Sequence, residues 1–203
     1  MQSLFSIALE TVRKPGMFSQ IISSYVPDYV TREDWIAFNL VDLNSELSLV
    51  CSILADFCSA GPCAVSEGTG GSEFVWEEVS AANPRARTLS SLGYIETLTA
   101  WMDRQTTTMS STPEAEKRLL AEVTLGVMAR RVPCLYSHIF ICHGLEMQRA
   151  DHHMKYSLLH FLAFMWEADV RLPRRELERL RPTIVSMNIP RLYNKYFSNA
   201  SFY

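Results

Sequence analysis

Residues 31–60 read TREDWIAFNLVDLNSELSLVCSILADFCSA, and this stretch decides the fold. Apolar side chains fall at Ile36, Leu40, Leu43, Leu47, Val50, Leu54 and Phe57, in alternating steps of four and three. That period makes one stripe of an α-helix and not the two-residue alternation of a strand. Thr31 and Asp34 have the spacing of a capping box, with Asp in place of the usual Glu, and Gly61-Pro62 supplies the stop. Asp34, Asp42 and Glu46 lie eight and four residues apart, so they share a second, acidic face of the same helix.

Beyond this helix the chain changes character. Gly68, Gly70 and Gly71 mark a turn-rich loop, after which Phe74-Val75-Trp76 and Arg87-Thr88-Leu89 are expected to pair as a small hairpin around Asn83-Pro84. Helical spacing returns at Tyr94, Ile95, Leu98, Trp101 and Met102. Thr106 to Thr112 reads as a polar linker, and Thr112-Pro113-Glu114 as a helix start. The new helix is expected to turn Leu119, Leu120, Val123 and Val127 inward. Pro133 predicts a kink or a fresh helix start, since it lacks an N–H and disfavours helix at the residue before it. Apolar spacing continues at Leu135 and Ile139. After a turn near Gly144 it resumes at Met154, Leu158, Phe161, Leu162 and Met165. A last helix from Pro173 carries Leu177, Leu180 and Ile184. The end of the chain, with Tyr193, Tyr196, Phe197, Phe202 and Tyr203, is too aromatic for a free tail and is expected to dock on the domain or on a partner. The division is an N-terminal extension over 1–30, one mostly α domain over 31–187, and an aromatic tail over 188–203.

The 203 residues are 48% apolar and 20% charged, ordinary for one globular domain. No stretch approaches the roughly 20 apolar residues that a membrane span needs, and Leu4–Leu9 is short and lacks the preceding basic residues of a secretory signal. The expected location is therefore the cytosol or nucleus, where five cysteines read as thiols or metal ligands and not as disulfides. The net charge of −3 hides an asymmetry: Glu33 to Asp103 balances to −9, and Arg104 to the C-terminus to +5. A segment at −9 repels nucleic acid and attracts a basic partner, unless it is simply a solvated surface.

Cys58 and Cys63 flank four residues at the end of the acidic helix, and His138 and His143 flank four more. Two thiolates on a tight loop with two imidazoles near a helix end suit a tetrahedral structural zinc. The alternative is that these are buried small side chains and satisfied core histidines, with Cys142, His152 and His153 as rival ligands.

At this point the residues resemble a family. Asp34-Trp35-Ile36-Ala37-Phe38-Asn39, Asp56-Phe57-Cys58 with Cys63, Glu73-Phe74-Val75-Trp76, Tyr136-Ser137-His138-Ile139 through His143, and Arg174-Arg175-Glu176-Leu177 are similar, in order, to the motifs of Mob-family kinase coactivators. The resemblance runs from about Thr31 to Val185. It implies a helix bundle with a small β-hairpin and a structural Zn2+ on Cys58, Cys63, His138 and His143. It further implies a non-catalytic adaptor that binds the basic N-terminal regulatory segment of an NDR/LATS-type AGC protein kinase. The family's kinase-facing surface falls on Asp34, Asp42, Glu46, Leu49, Val50 and His160. Some members also hold a phosphorylated peptide of an upstream kinase. Two of those basic positions fall on Arg130 and Arg131, and the third falls on Cys134, a departure that weakens such a site. A helix restarting at Pro133 would aim N–H groups at the same anion.

Two other classes compete. A phocein-like scaffold in a kinase or phosphatase assembly would use the same fold. A zinc hydrolase would need an open coordination position, which four protein ligands do not leave, and no P-loop, GxSxG or HExxH motif is present in the chain.

Overall fold

The computed structural model describes residues 30–60, 74–77, 86–145, 148, 150–188 and 190–197. Helix α1 spans Arg32–Ala60, strand β1 Phe74–Glu77 and strand β2 Ala86–Leu89. Helices α2 (Ser91–Ser111), α3 (Glu114–Cys142), α4 (Asp151–Glu167), α5 (Arg174–Ser186) and α6 (Pro190–Phe197) follow.

Helix α1 is the hub. Thr31 Oγ1 accepts from the Asp34 amide at 3.1 Å, one half of the expected capping box. The stripe Ile36, Leu40, Leu43, Leu47, Val50 and Leu54 is buried as its spacing requires. At its end the stripe passes to Cys58, while Phe57 turns outward at 36% exposure. Arg32–Cys58 is long and apolar enough to cross a bilayer by length and composition, which corrects the expectation that no stretch approaches a span; its few charged residues are scattered among apolar ones. Its stripe is spent on the core, against α2, α3 and α4.

The contacts fix helix directions. Arg32 donates to the Ala168 carbonyl at 2.8 Å, Trp35 packs on Phe164, and Glu46 meets His160, so α4 runs antiparallel to α1. Lys117 meets Asp34 at one end, and His138 and His143 meet Cys58 at the other, so α3 runs alongside α1 in the same direction. The two strands pair antiparallel with Phe74 opposite Leu89 and Trp76 opposite Arg87, as expected. Phe74 stacks on Tyr94 of α2 at 4.6 Å, which ties the hairpin to the bundle.

Several expectations are corrected. Thr106–Ser111 is helix, not linker. The hydroxyls of Thr106, Thr107, Thr108, Ser110 and Ser111 each donate to a carbonyl three or four residues back, so these weak helix formers satisfy themselves inside the helix they extend. Pro133 lies within α3, and no new helix begins there. Ala129, Val132, Leu135, Tyr136 and Ile139 are all buried around it, and that packing outweighs the missing backbone bond. Leu119 and Val123 face solvent at 69% and 51% exposure; Ala121, Thr124, Leu125 and Met128 form the inward face instead. The aromatic tail docks on the domain as far as Phe197: Tyr196 Oη donates to the Leu162 carbonyl at 2.6 Å, and the Arg181 guanidinium lies 4.5 Å from the centre of the Phe197 ring. Phe202 and Tyr203 lie outside the described residues, as do the proposed turns at Gly61-Pro62, Gly68–Gly71 and Asn83-Pro84.

Gly126 sits inside α3, and a Cβ placed on it would meet no neighbouring atom of the described residues within 4 Å. Glycine there costs backbone entropy without relieving a clash. Gly126→Ala is expected to raise stability by about 0.5–1 kcal/mol, measured as a shift in denaturant midpoint at unchanged slope.

Candidate metal centre and acidic helix face

Three of the four expected metal ligands converge. Cys58 sits in the last turn of α1, and its Sγ lies 3.3 Å from His138 Nε2 and 3.4 Å from His143 Nε2. The three ligand atoms lie within 4.8 Å of one another, and all three residues are buried. Cys63 lies outside the described residues. Two histidines five apart cannot share a face of a regular helix. The chain solves this by placing His143 at the C-cap, with φ −125° and ψ 15°, so that its ring comes round to His138 at 4.9 Å. Gly144 makes the following turn possible: a Cβ there would lie 2.8 Å from the Phe140 carbonyl oxygen.

The donor set fits a zinc ion. Bond lengths of about 2.3 Å to sulfur and 2.0–2.1 Å to nitrogen give a tetrahedral S···N edge of roughly 3.5 Å, close to the observed separations. Burial, then the neighbouring His143, pushes His138 down to about 4 from its usual 6.5, so its imidazole is neutral and keeps a lone pair for a metal. Its Nδ1 is buried with no hydrogen-bond partner among the described residues. Phe74 of β1 packs edge-on to the His138 ring at 5.4 Å, and Phe57 lies 6.2 Å from His143. The rivals Cys142, His152 and His153 are exposed and do not join the cluster.

The acidic face is more internally committed than its spacing suggests. Asp34 is paired with Lys117 at 3.2 Å, and hydrogen bonds from Lys117 and then Thr31 hold its carboxyl below the usual range. Glu46 accepts from His160 Nδ1 at 2.9 Å. Asn39 donates its Nδ2 to the Trp35 carbonyl, which turns its Oδ1 to His160 Nε2 at 3.1 Å. Asp42 is the exposed acid of the three, raised by partial desolvation and opposed by the attraction of His160. Leu49 is 50% exposed, whereas Val50 is buried at 4% and belongs to the core, so Val50 offers no surface anchor. Sequence reasoning missed Phe38, Val41 and Ile53, which are exposed beside Asp42 and Leu49. Their steps of three, eight and four from Phe38 through Leu49 mark a second, weaker stripe opposite the core.

Of the basic pair, only Arg130 faces solvent fully. The Arg131 guanidinium lies 3.7 Å above Trp76 and 5.1 Å from Trp101, and donates to the Glu77 carbonyl at 2.7 Å. It holds the hairpin to α2 and α3. Cys134 donates its thiol proton to the Arg130 carbonyl at 3.3 Å, and burial pushes that thiol up to about 11. The helix N-terminus that would have aided an anion at Pro133 does not exist.

The comparisons with known proteins agree with this architecture. A family model described as the Mob1/phocein family matches residues 10–180. The chain is similar to the MOB kinase activator-like 2A protein of Arabidopsis thaliana, 23% identical over 80% of this chain and 76% of that protein. It is similar to the maintenance of ploidy protein mob2 of Schizosaccharomyces pombe, 24% identical over 84% and 69% respectively. MOB kinase activator 3C of Mus musculus is 25% identical over 73% of this chain and 70% of its own length. Among the described residues a helix bundle carries a hairpin and a buried Cys/His cluster that joins α1 to α3, and with a family match over most of the chain's length these lead to one conclusion: this chain belongs to the Mob1/phocein family.

Proposed function

We propose that the protein is a non-catalytic adaptor that binds the basic N-terminal segment of an NDR/LATS-type AGC kinase and favours its active form. The observation that carries this reading is the outward face of α1. It presents Asp42 and the half-exposed Leu49 together, with Asp34 and the Glu46–His160 pair at its margins. Arg and Lys side chains of a partner helix would be steered by the acids, and an apolar side chain would cover Leu49. Family membership and relatives named as kinase activators support the same reading. A structural Zn2+ on Cys58, His138 and His143, with Cys63 as fourth ligand, would hold the far end of α1 in place and leave no position open for a hydrolytic water. With Arg131 stacked on Trp76, the phosphopeptide reading is the lesser one.

Charge reversal tests the proposal. An Asp42→Lys, Glu46→Lys double variant is expected to associate about tenfold or more slowly with a basic kinase segment at low salt. Its association rate should lose most of its dependence on ionic strength. Stopped-flow or surface-immobilised kinetics at two salt concentrations read this out. A folded double variant that binds and activates the kinase normally refutes the acidic-face reading.

A further inference from the structure

Helix α2 ends and α3 begins at Thr112-Pro113. Thr112 closes α2 with φ −79° and ψ 134°, and Pro113 follows at φ −57° and ψ 145°, so the dipeptide is extended between two helices. Ser110, Ser111, Pro113 and Glu114 are exposed, and Thr112 is partly so, its Oγ1 donating to the Thr108 carbonyl at 2.7 Å. The N-cap position of α3 is Pro113, which gives no side-chain cap. Counted from that cap, Thr112 is the residue just outside the helix and Lys117 the fourth inside it, the two positions whose side chains meet in a hydrophobic staple. Here the inner position is an ammonium. Lys117 Nζ lies 3.2 Å from Asp34 on α1 and 2.9 Å from Glu114. One lysine, its side chain 19% exposed, is thus shared between two carboxylates, four positions into the helix that a Thr-Pro pair opens.

We propose that Thr112 is a phosphorylation site for a proline-directed protein kinase, and that its phosphate draws Lys117 away from Asp34. In the transfer, Oγ1 attacks the γ-phosphorus of a nucleoside triphosphate held by that kinase. The new O–P bond forms as the bond to the β,γ-bridging oxygen breaks. The hydroxyl proton goes to the kinase's own base, and the nucleoside diphosphate leaves. Proline after the acceptor keeps the site out of the helical conformation and presents it extended. The product carries about −1.5 to −2 charge near pH 7 and three acceptor oxygens, more than either carboxylate that now shares Lys117. The phosphate sits favourably at the positive end of α3 and unfavourably at the negative end of α2. Losing the bond to Thr108 loosens the last Ser/Thr turn of α2, while buried Met109 anchors what precedes it. Asp34, stripped of its counter-ion, then adds its charge to the α1 face. The benefit to partner binding rests on the function proposed above, but the modification and the release of Asp34 are properties of this chain alone.

The full chain is incubated with ATP and a proline-directed Ser/Thr kinase, and the phosphate is mapped by peptide mass spectrometry. Phosphate is expected on Thr112, absent in Thr112→Ala and largely lost in Pro113→Ala, which keeps the hydroxyl. Side-chain carbon NMR of Asp34 then follows its titration without any partner. Lys117 holds it low in the unmodified chain. Phosphorylation should return it upward, and Lys117→Met should show that higher value before phosphorylation with little further change after it. Phosphate placed elsewhere on the Ser/Thr stretch overturns the site. An Asp34 titration unmoved by Thr112 phosphorylation overturns the release of Asp34. Neither readout uses the partner, so a failed kinase-binding reading leaves both interpretable.

Discussion

Cys58→Ala is expected to lose bound zinc and more than about 4 kcal/mol of stability, because a structural metal's binding energy is folding energy. For a chain of this size that is a fall in melting temperature of roughly 10 °C or more. The thiol closes a contact to His138 across 80 residues of sequence and to His143 across 85, so its loss unties the end of α1 from the end of α3. Elemental analysis of the parent protein should give about one zinc per chain, and a chelator at neutral pH should reproduce the melting shift. Acid is a poor substitute for the chelator. His138 is buried with its pKa lowered to about 4, against 6.5 in the open chain, so the unfolded state binds more protons between those values. In the metal-free chain stability therefore falls as pH drops through that window. If the parent contains no stoichiometric zinc, and Cys58→Ala costs only what trimming a small buried side chain costs, the cluster is packing alone.

The second large effect separates two adjacent residues. Val50→Asp puts an unpaired carboxylate into the core at a position 4% exposed, and is expected to unfold the protein. Leu49→Asp changes a position 50% exposed and should leave stability within about 0.5 kcal/mol. If Leu49 is the anchor of the α1 face, the same change should cost at least about 2 kcal/mol of binding to a basic kinase segment, roughly thirtyfold in Kd and mostly in the dissociation rate. Circular dichroism melts of both variants and a binding titration of Leu49→Asp suffice. An unfolded Leu49→Asp protein, or a folded one that binds normally, removes Leu49 from the interface.

What could be read from the sequence follows the strength of each local signal. The stripe of α1 has six of its seven positions buried, because a long amphipathic pattern has few ways to be satisfied. The hairpin pairs where aromatic and β-branched residues flank turn residues. The second half of the molecule was less legible. In α3, Leu119 and Val123 fit a helical face as well as Ala121, Leu125 and Met128 do, and only the position of α1 and α2 decides which face is inside. Pro133 and the Ser/Thr run of α2 carry local signals against helix that tertiary packing and back-bonded hydroxyls override. In the site, the ligand types and spacing pointed to Cys58, His138 and His143, whose sulfur and nitrogens do converge. What spacing could not show was internal engagement. Lys117, His160 and Trp76 come from distant segments to occupy Asp34, Glu46 and Arg131, and none is within helical reach of its partner in sequence.

The hub position of α1 has a consequence for how the chain is made. Arg32 finds its partner at Ala168, 136 residues later. At about 5–20 residues per second, a ribosome needs roughly 7 to 27 seconds to supply it. Through that interval the nascent chain displays the part of the apolar side of this 29-residue helix that α4 covers in the folded protein. Helix α2 can cover its own part of α1 early, but α4 arrives late. Fragments ending before Asp151 lack α4 and leave the part of α1 that packs on it uncovered.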